Sequence, residues 1–194
     1  MRRVLFVLCL FTSIIAVPAI GQPAATPASA TWKAQVEKMM PLLGHRNWIL
    51  IVDSAYPLQN SSGIETIETN AEQLDVLKYV LKSISASRHV RPLFTMDAEL
   101  PFVPDTVVPT VTAYRGEVAS LLHGYSIDSQ PHAAMLSQID DAGKQYRVLV
   151  LKTTMTIPYS SVFIRLDCKY WGAEDEKRLR AKMAAAGAVP KLDQ

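Results

Sequence analysis

Leu42-Leu43-Gly44-His45-Arg46-Asn47-Trp48-Ile49-Leu50-Ile51-Val52-Asp53-Ser54-Ala55-Tyr56-Pro57 is the stretch on which the fold of this 194-residue chain turns. Residues 48–52 are five apolar residues without alternation. Such a run reads as a strand buried on both faces, as in a sheet covered by helices on each side. Upstream, Trp32, Val36, Met39, Met40 and Leu43 recur at helical spacing, with Thr31 as N-cap. Pro41 strains the last turn of that helix. Gly44 is expected to supply the left-handed residue that ends it. Downstream, Asp53 closes the strand, and Pro57 opens a loop that runs to Gly63.

The same reading extends outward. Residues 64–69 alternate as a short strand. Leu74, Leu77, Val80, Leu81 and Ile84 form a helical stripe. Residues 90–96 read as a strand, and Pro92 within it points to a sheet edge. Residues 97–112 carry Pro101, Pro104 and Pro109 and show no regular pattern. Residues 111–123 read as a helix, and so do 131–142, with proline in the first turn. Residues 148–151 and 161–166 are the last two strands. Residues 174–186 form a terminal helix whose early Glu174 and Asp175 suit the helix dipole. Strands alternating with helices, without an internal linker, predict a single three-layer α/β/α domain with a mostly parallel or mixed sheet. That domain spans 31–173, and a C-terminal helix and tail occupy 174–194.

The N-terminus carries other information. Arg2 and Arg3 precede an almost wholly apolar run at 4–17, and small residues follow before Gln22, so residues 1–21 read as a secretory signal peptide. The run is shorter than the roughly 20 residues of a membrane span, and no stable membrane insertion is expected once the signal is cleaved; an uncleaved anchor is the alternative reading. Residues 22–30 are a flexible linker of small residues and proline. Export favours disulfides, yet loss of Cys9 leaves only Cys168, so a bacterial periplasmic or secreted location fits better than a disulfide-built extracellular one. The chain has 20 Lys+Arg and 18 Asp+Glu; removing Arg2 and Arg3 gives 18 against 18. A neutral mature domain has no basic stripe for phosphates, so nucleic acid is excluded as an expected partner.

A second compact unit lies near the C-terminus: Ile157-Pro158-Tyr159-Ser160-Ser161-Val162-Phe163-Ile164-Arg165-Leu166. Together the two units resemble the ribose pyranase / fucose mutarotase (RbsD/FucU-like) family of sugar mutarotases. That family carries a Leu-Gly-His at the end of its first helix, an Asp eight residues after the His at the end of a strand, and then a turn with Pro. These match Leu43-Gly44-His45, Asp53 and Pro57. Its Tyr-Ala-Asn triplet before an apolar strand is matched by Tyr159-Ser160-Ser161 behind Pro158. The resemblance covers roughly residues 31–170. It departs at Asn47, where the family often has an acid, and at Ser161, which lacks the amide of the family's Asn.

The resemblance implies an RbsD-like fold and a catalyst that interconverts anomers, or pyranose and furanose forms, of a free monosaccharide. It implies His45 as the proton donor, with Asp53, Tyr159, Ser160 and Ser161 binding sugar hydroxyls. It also points to His132 as the family's residue at a helix start. The chemistry is consistent with those residue types. Opening a hemiacetal ring moves one proton to the ring oxygen and one from the anomeric hydroxyl, and a histidine serves either step. No cofactor is required. The plainer readings stay open: His45 as a residue following a helix cap, Asp53 as the start of an Asx turn, and residues 159–161 as an ordinary turn. His89 and His123 read as structural.

Other chemistries lack their signatures. The four histidines show no metal-ligand spacing. There is no Gly-rich phosphate loop and no Gly-x-Ser-x-Gly nucleophile turn. One geometric expectation follows from the strand itself. Eight extended residues at about 3.3 Å each separate His45 from Asp53 by roughly 26 Å, beyond the reach of one monosaccharide. Unless the chain bends at Arg46-Asn47, one site takes His45 from one subunit and Asp53 from a neighbour, and the protein is a homo-oligomer. A carbohydrate-binding module without turnover, and a structural or interaction domain with a dead pocket, are the rival functions.

Overall fold

Trp48–Val52 is a strand, β1, and all five residues are buried. The computed structural model describes residues 31–188. The expected signal peptide, the linker and the end of the C-terminal tail lie outside the described residues. Around β1 the order is α1 (Trp32–Met39), β1, β2 (Ile64–Glu68), α2 (Gln73–Ala86), β3 (Val90–Asp97), α3 (Val111–Leu121), β4 (Ile127–Gln130), α4 (His132–Gln145), β5 (Val148–Lys152), β6 (Val162–Cys168) and α5 (Ala173–Ala185). The strands form one sheet in the order β2-β5-β1-β6-β3-β4. β1 and β2 run parallel to β5, and β3 parallel to β4. β6 runs antiparallel between β1 and β3. The sheet is therefore mixed, as expected.

Alternation along the strands sends side chains to two cores. Ile49, Ile51, Leu149, Leu151 and Ile164 pack with Val36 of α1, Val76 and Val80 of α2, and Val111 and Val118 of α3. On the opposite face Leu50, Val52, Val150 and Phe163 pack with Met135 and Ile139 of α4. Helices thus cover both faces, giving the three-layer α/β/α arrangement. The unbroken apolar run of β1 follows directly, because each residue meets a core whichever way it points.

Local chemistry sets the element ends. Thr31 Oγ1 accepts from Ala34 N at 3.3 Å and caps α1. Pro41 lies in a 3₁₀ turn, Met40–Leu42, that tightens the helix end. Gly44 does not take the left-handed conformation expected of it. Arg46 does, at φ 74°, because Asn47 fixes the turn from outside: its Oδ1 accepts from Gly44 N at 2.7 Å, and its N–H donates to Gly44 O at 3.1 Å.

Pro92 is a partial correction. β3 is an interior strand, but its pairing with β4 begins only at Phe94, so Pro92 sits where β3 has a single neighbour and no ladder bond is lost. The edge strand β4 had no signal in the sequence. Its four residues, Ile-Asp-Ser-Gln, are largely exposed, and nothing apolar marks it.

Gly63 and Gly143 lock β2 to the end of α4. Gly63 N donates to Gly143 O at 2.9 Å, and a Cβ on Gly63 would lie 2.3 Å from both Gly143 O and Tyr146 O. Backbone cannot yield there as a flexible side chain does. Gly63→Ala is expected to destabilise the domain by at least about 2 kcal/mol, read as a lower urea midpoint at unchanged slope. A midpoint equal to wild type would show that the contact relaxes freely.

Candidate functional site

Because β6 alone runs against the other five strands, their carboxyl ends and the start of β6 share one sheet edge. Open α/β sheets bind ligands outside the carboxyl ends of their strands. Here residues 153–161, between β5 and β6, cross the end of β1. Thr153 N and Oγ1 donate to Val52 O at 3.0 and 2.8 Å, and Ser54 N donates to Met155 O at 2.8 Å. The far end of the loop is pinned at Ser160, which is wholly buried. Its carbonyl accepts from Gln73 Nε2 and Tyr114 OH, each at 2.6 Å. Its hydroxyl donates toward Ile157 O at 2.7 Å.

The crossing leaves a cavity of about 410 Å³ lined by Asp53, Tyr56, His132, Thr156, Pro158 and Tyr159. This lies within the roughly 300–1,000 Å³ of small-molecule clefts. Tyr159 has φ 58°, a left-handed conformation unusual for a bulky residue. Its ring meets the imidazole of His132 edge-on, centroids 5.6 Å apart. Asp53 Oδ1 accepts from Ala55 N at 2.8 Å, so the Asx turn is real. Its other carboxylate oxygen has no hydrogen-bond partner among the described residues.

Behind His132 stands a carboxylate that sequence reasoning missed. Asp97 ends β3 and is 2% exposed. His132 Nδ1 lies 3.1 Å from its Oδ1. Glu99 accepts from the His132 backbone N–H with both oxygens, at 3.0 and 3.1 Å, which anchors the start of α4 with a charge suited to the helix dipole. Burial pushes the Asp97 carboxyl up to about 6, against the opposing pull of His132; Glu99 and Asp53 add smaller upward pushes. Burial likewise raises the Tyr56 phenol, with Asp97 and Asp53 adding to the effect. No local pattern marks Asp97. Its meaning depends on a histidine 35 positions later that the fold brings beside it.

His45 sits at the other end of the sheet. Its Nδ1 is 2.9 Å from Asp167 Oδ1, near the end of β6. Arg91 Nε and Nη2 donate to Asp167 Oδ2 at 2.9 and 2.6 Å. Burial raises the Asp167 carboxyl, but hydrogen bonds from Arg91, the Cys168 backbone and His45 outweigh it, so the carboxyl lies below its ordinary range. Arg46 Nε donates to His45 Nε2 at 3.3 Å. The left-handed Arg46 does bend the chain, but not enough to bring His45 to Asp53.

Of the six site residues expected from sequence, Asp53, His132 and Tyr159 converge on the cavity. His45 does not, within one chain. Ser160 and Ser161, expected from the resemblance to bind sugar hydroxyls, are both fully buried. The Ser160 hydroxyl and carbonyl are engaged in pinning the loop. Ser161 Oγ and Asp97 Oδ2 are, among the described residues, the buried side-chain polar atoms without a hydrogen-bond partner. Extending the β3–β6 register by one residue sets them opposite each other. His89 is structural as read: its ring nitrogens meet Ser87 Oγ and Leu43 O, each at 2.9 Å. Among the described residues no group of three or more His, Cys, Asp or Glu is placed to hold a metal ion.

No protein-family model matches the chain, and no curated protein matches it. Solved structures with a similar fold include Bacillus subtilis RbsD complexed with D-ribose, at 15% identity over 68% of this chain and 90% of that one, TM-score 0.48. FucU from Bifidobacterium longum is similar at 19% identity over 68% and 92%, TM-score 0.47. The fucose mutarotase of Streptococcus pneumoniae, in complex with L-fucose, is similar at 14% over 68% and 89%, TM-score 0.44. These likenesses concern the fold alone.

The buried Asp97 has a consequence for stability. A folded-state carboxyl raised to about 6 favours the folded state below the unfolded value near 3.9 and loses that contribution as pH rises toward 6. Neutral Asn mimics the protonated form at every pH. Asp97→Asn is therefore expected to be more stable than wild type at pH 8, by roughly 1–3 kcal/mol, with the gap closing below pH 4. Paired urea titrations at the two pH values check the sign; a gap of the same size at both pH values would remove burial of the charge as its cause.

Proposed function

We propose that this protein is an exported monosaccharide mutarotase or pyranase that opens and recloses the ring of a free sugar by acid/base chemistry. The observation that carries the reading is the convergence of Asp53, His132 and Tyr159 in one cavity from three distant parts of the chain. The same three stand at positions where the motifs resemble sugar-binding residues of the family. Asp53 offers an unpaired carboxylate oxygen to a sugar hydroxyl, Tyr159 a phenol and an apolar ring edge, and His132 an imidazole nitrogen. An uncharged sugar needs such hydroxyl partners rather than a cation clamp.

In this reading His45, oriented by Asp167, serves a neighbouring subunit's cavity. Each site is then completed across an interface of a homo-oligomer, by a head-to-tail contact. The carboxylate on Nδ1 holds the ring, and the other nitrogen, which accepts from Arg46 Nε at 3.3 Å, is the one that exchanges a proton once that long contact is given up. Residues 1–21 direct export and are removed, so the mature protein begins at Gln22; N-terminal sequencing of the exported protein checks that start.

Saturation-transfer NMR of free ribose, fucose and other aldoses tests the activity. Exchange between ring forms or anomers is expected to exceed the buffer rate and to fall back toward it in His45→Ala. No acceleration by wild type with any of these sugars would discard the enzyme. Shared sites have a sharper signature. His45→Ala and Asp53→Ala are each expected to be inactive, and mixing them with subunit exchange is expected to restore roughly a quarter of the wild-type rate. A fully active monomer by light scattering would defeat the shared site.

The burial of Ser160 and Ser161 favours one alternative, a carbohydrate-binding module without turnover. It predicts sugar-dependent thermal stabilisation with no exchange.

A further inference from the structure

The cavity contains an acid/base pair of its own that the His45 chemistry leaves unused. His132 Nδ1 is held at 3.1 Å by Asp97 Oδ1, its backbone N–H is held by Glu99, and its ring is steadied edge-on by Tyr159. With Nδ1–H directed at a carboxylate, Nε2 carries the lone pair, and among the described residues it has no hydrogen-bond partner. The imidazole is a quarter exposed while the Asp97 carboxylate behind it has no exposure. This is a base with a buried counter-ion, set at a cavity wall. Among the described residues Asp97 Oδ2 is buried without a hydrogen-bond partner, a costly state that it shares with Ser161 Oγ across the β3–β6 register.

We propose that His132 is a second catalytic residue, the base for the anomeric hydroxyl, and that Asp97 is its positioning residue. The proposal rests on the mutarotase reading of the same site. In ring opening His132 Nε2 takes the proton of the anomeric hydroxyl. The O–H electron pair becomes the second bond of the C1 carbonyl, and the C1–ring-oxygen bond breaks with its pair on the ring oxygen. That oxygen takes the Nε2 proton of the neighbouring subunit's His45, which enters the step as imidazolium paired with Asp167 and leaves it as neutral imidazole. Closure on either face of the carbonyl runs the steps backward and resets both histidines, with no oxidant, reductant or further reactant. Asp97 balances the imidazolium formed on the way.

The groups facing the pair are Asp53 from the end of β1, Glu99 from the turn after β3, Tyr159 from the β5–β6 loop, Tyr56 from the β1–β2 loop and Tyr114 from α3; Lys152 is engaged by Tyr56 O at 3.0 Å.

The test uses the full chain and the sugar that wild type exchanges fastest. His132→Ala is expected to lower kcat at least about a hundredfold, with part of the rate restored by added imidazole. Asp97→Asn is expected to lower kcat at least about tenfold, with KM changed less than threefold and the acid limb of the rate–pH profile displaced by more than about half a unit. Circular dichroism checks folding, and His132→Ala carries the test if Asp97→Asn misfolds. A His132→Ala rate within threefold of wild type overturns the proposal. So does a loss in both variants with no imidazole rescue and an unmoved pH profile, the pattern of a purely structural pair. A wild type with no exchange rejects the mutarotase reading itself, whereas an active wild type with an indifferent His132→Ala rejects this step alone.

Discussion

The antiparallel insertion of β6 between β1 and β3 is the constraint on which the rest of the structure depends. Were β6 parallel, the connection from β5 would leave the carboxyl edge and return along a face of the sheet. Because it is antiparallel, the chain turns back at that edge, and residues 153–161 must pass over the end of β1. The polar groups of that passage are met by β1's own terminal carbonyl and by Gln73 and Tyr114 beneath. A buried glutamine and tyrosine inside an otherwise apolar core are explained by this need, since unpaired buried carbonyls are costly. The cavity is therefore a product of topology: its floor is the end of β1, its roof the crossing loop, and one wall the start of α4.

That wall concentrates negative charge. Asp53, Asp97 and Glu99 come from two strand ends and a turn, and His132 is the titratable base among them. Glu99 has a structural reason in the free N–H groups of α4. Asp53 has one in its Asx turn. Asp97 has none of that kind, because its buried oxygen is unsatisfied and its ionisation is disfavoured. At the other end of β1 the arrangement is opposite in character: Asp167 is doubly held by Arg91 and favours its charged form. The two histidine–carboxylate pairs thus sit in different electrostatic settings at the two ends of one strand.

Much of the fold was legible in the sequence, and the reasons are physical. Residues 48–52 announced β1 because a strand with helices on both faces needs apolar side chains at every position. The stripe of α2 was legible for the matching reason on helices, and the start of α4 through its proline. β4 was not, because an edge strand with exposed faces needs no apolar pattern. Gly44 misled because glycine is the common left-handed residue, whereas the Asn47 side chain moved that conformation to Arg46. Asp53, His132 and Tyr159, which line the cavity, stand in or near short motifs of the sequence, whereas the motif residue His45 lies at the other end of the sheet. Asp97 was hidden because its partner arrives through tertiary pairing. The burial of Ser160 and Ser161 was not legible, because motif position says nothing of exposure: Ser160 anchors the loop through Gln73 and Tyr114.

Tyr159 carries one more implication. Its backbone occupies a region that glycine enters freely and that costs a bulky residue about 1–2 kcal/mol. Glycine at this position would ease the loop and still permit every main-chain bond that pins it. The chain nevertheless keeps an aromatic ring there, more than a third exposed and turned to the imidazole of His132. A residue that works against its own backbone is retained for its side chain, so the rigidity of the loop and the presence of the ring are separable traits, and drift toward glycine would keep the fold while emptying the cavity rim.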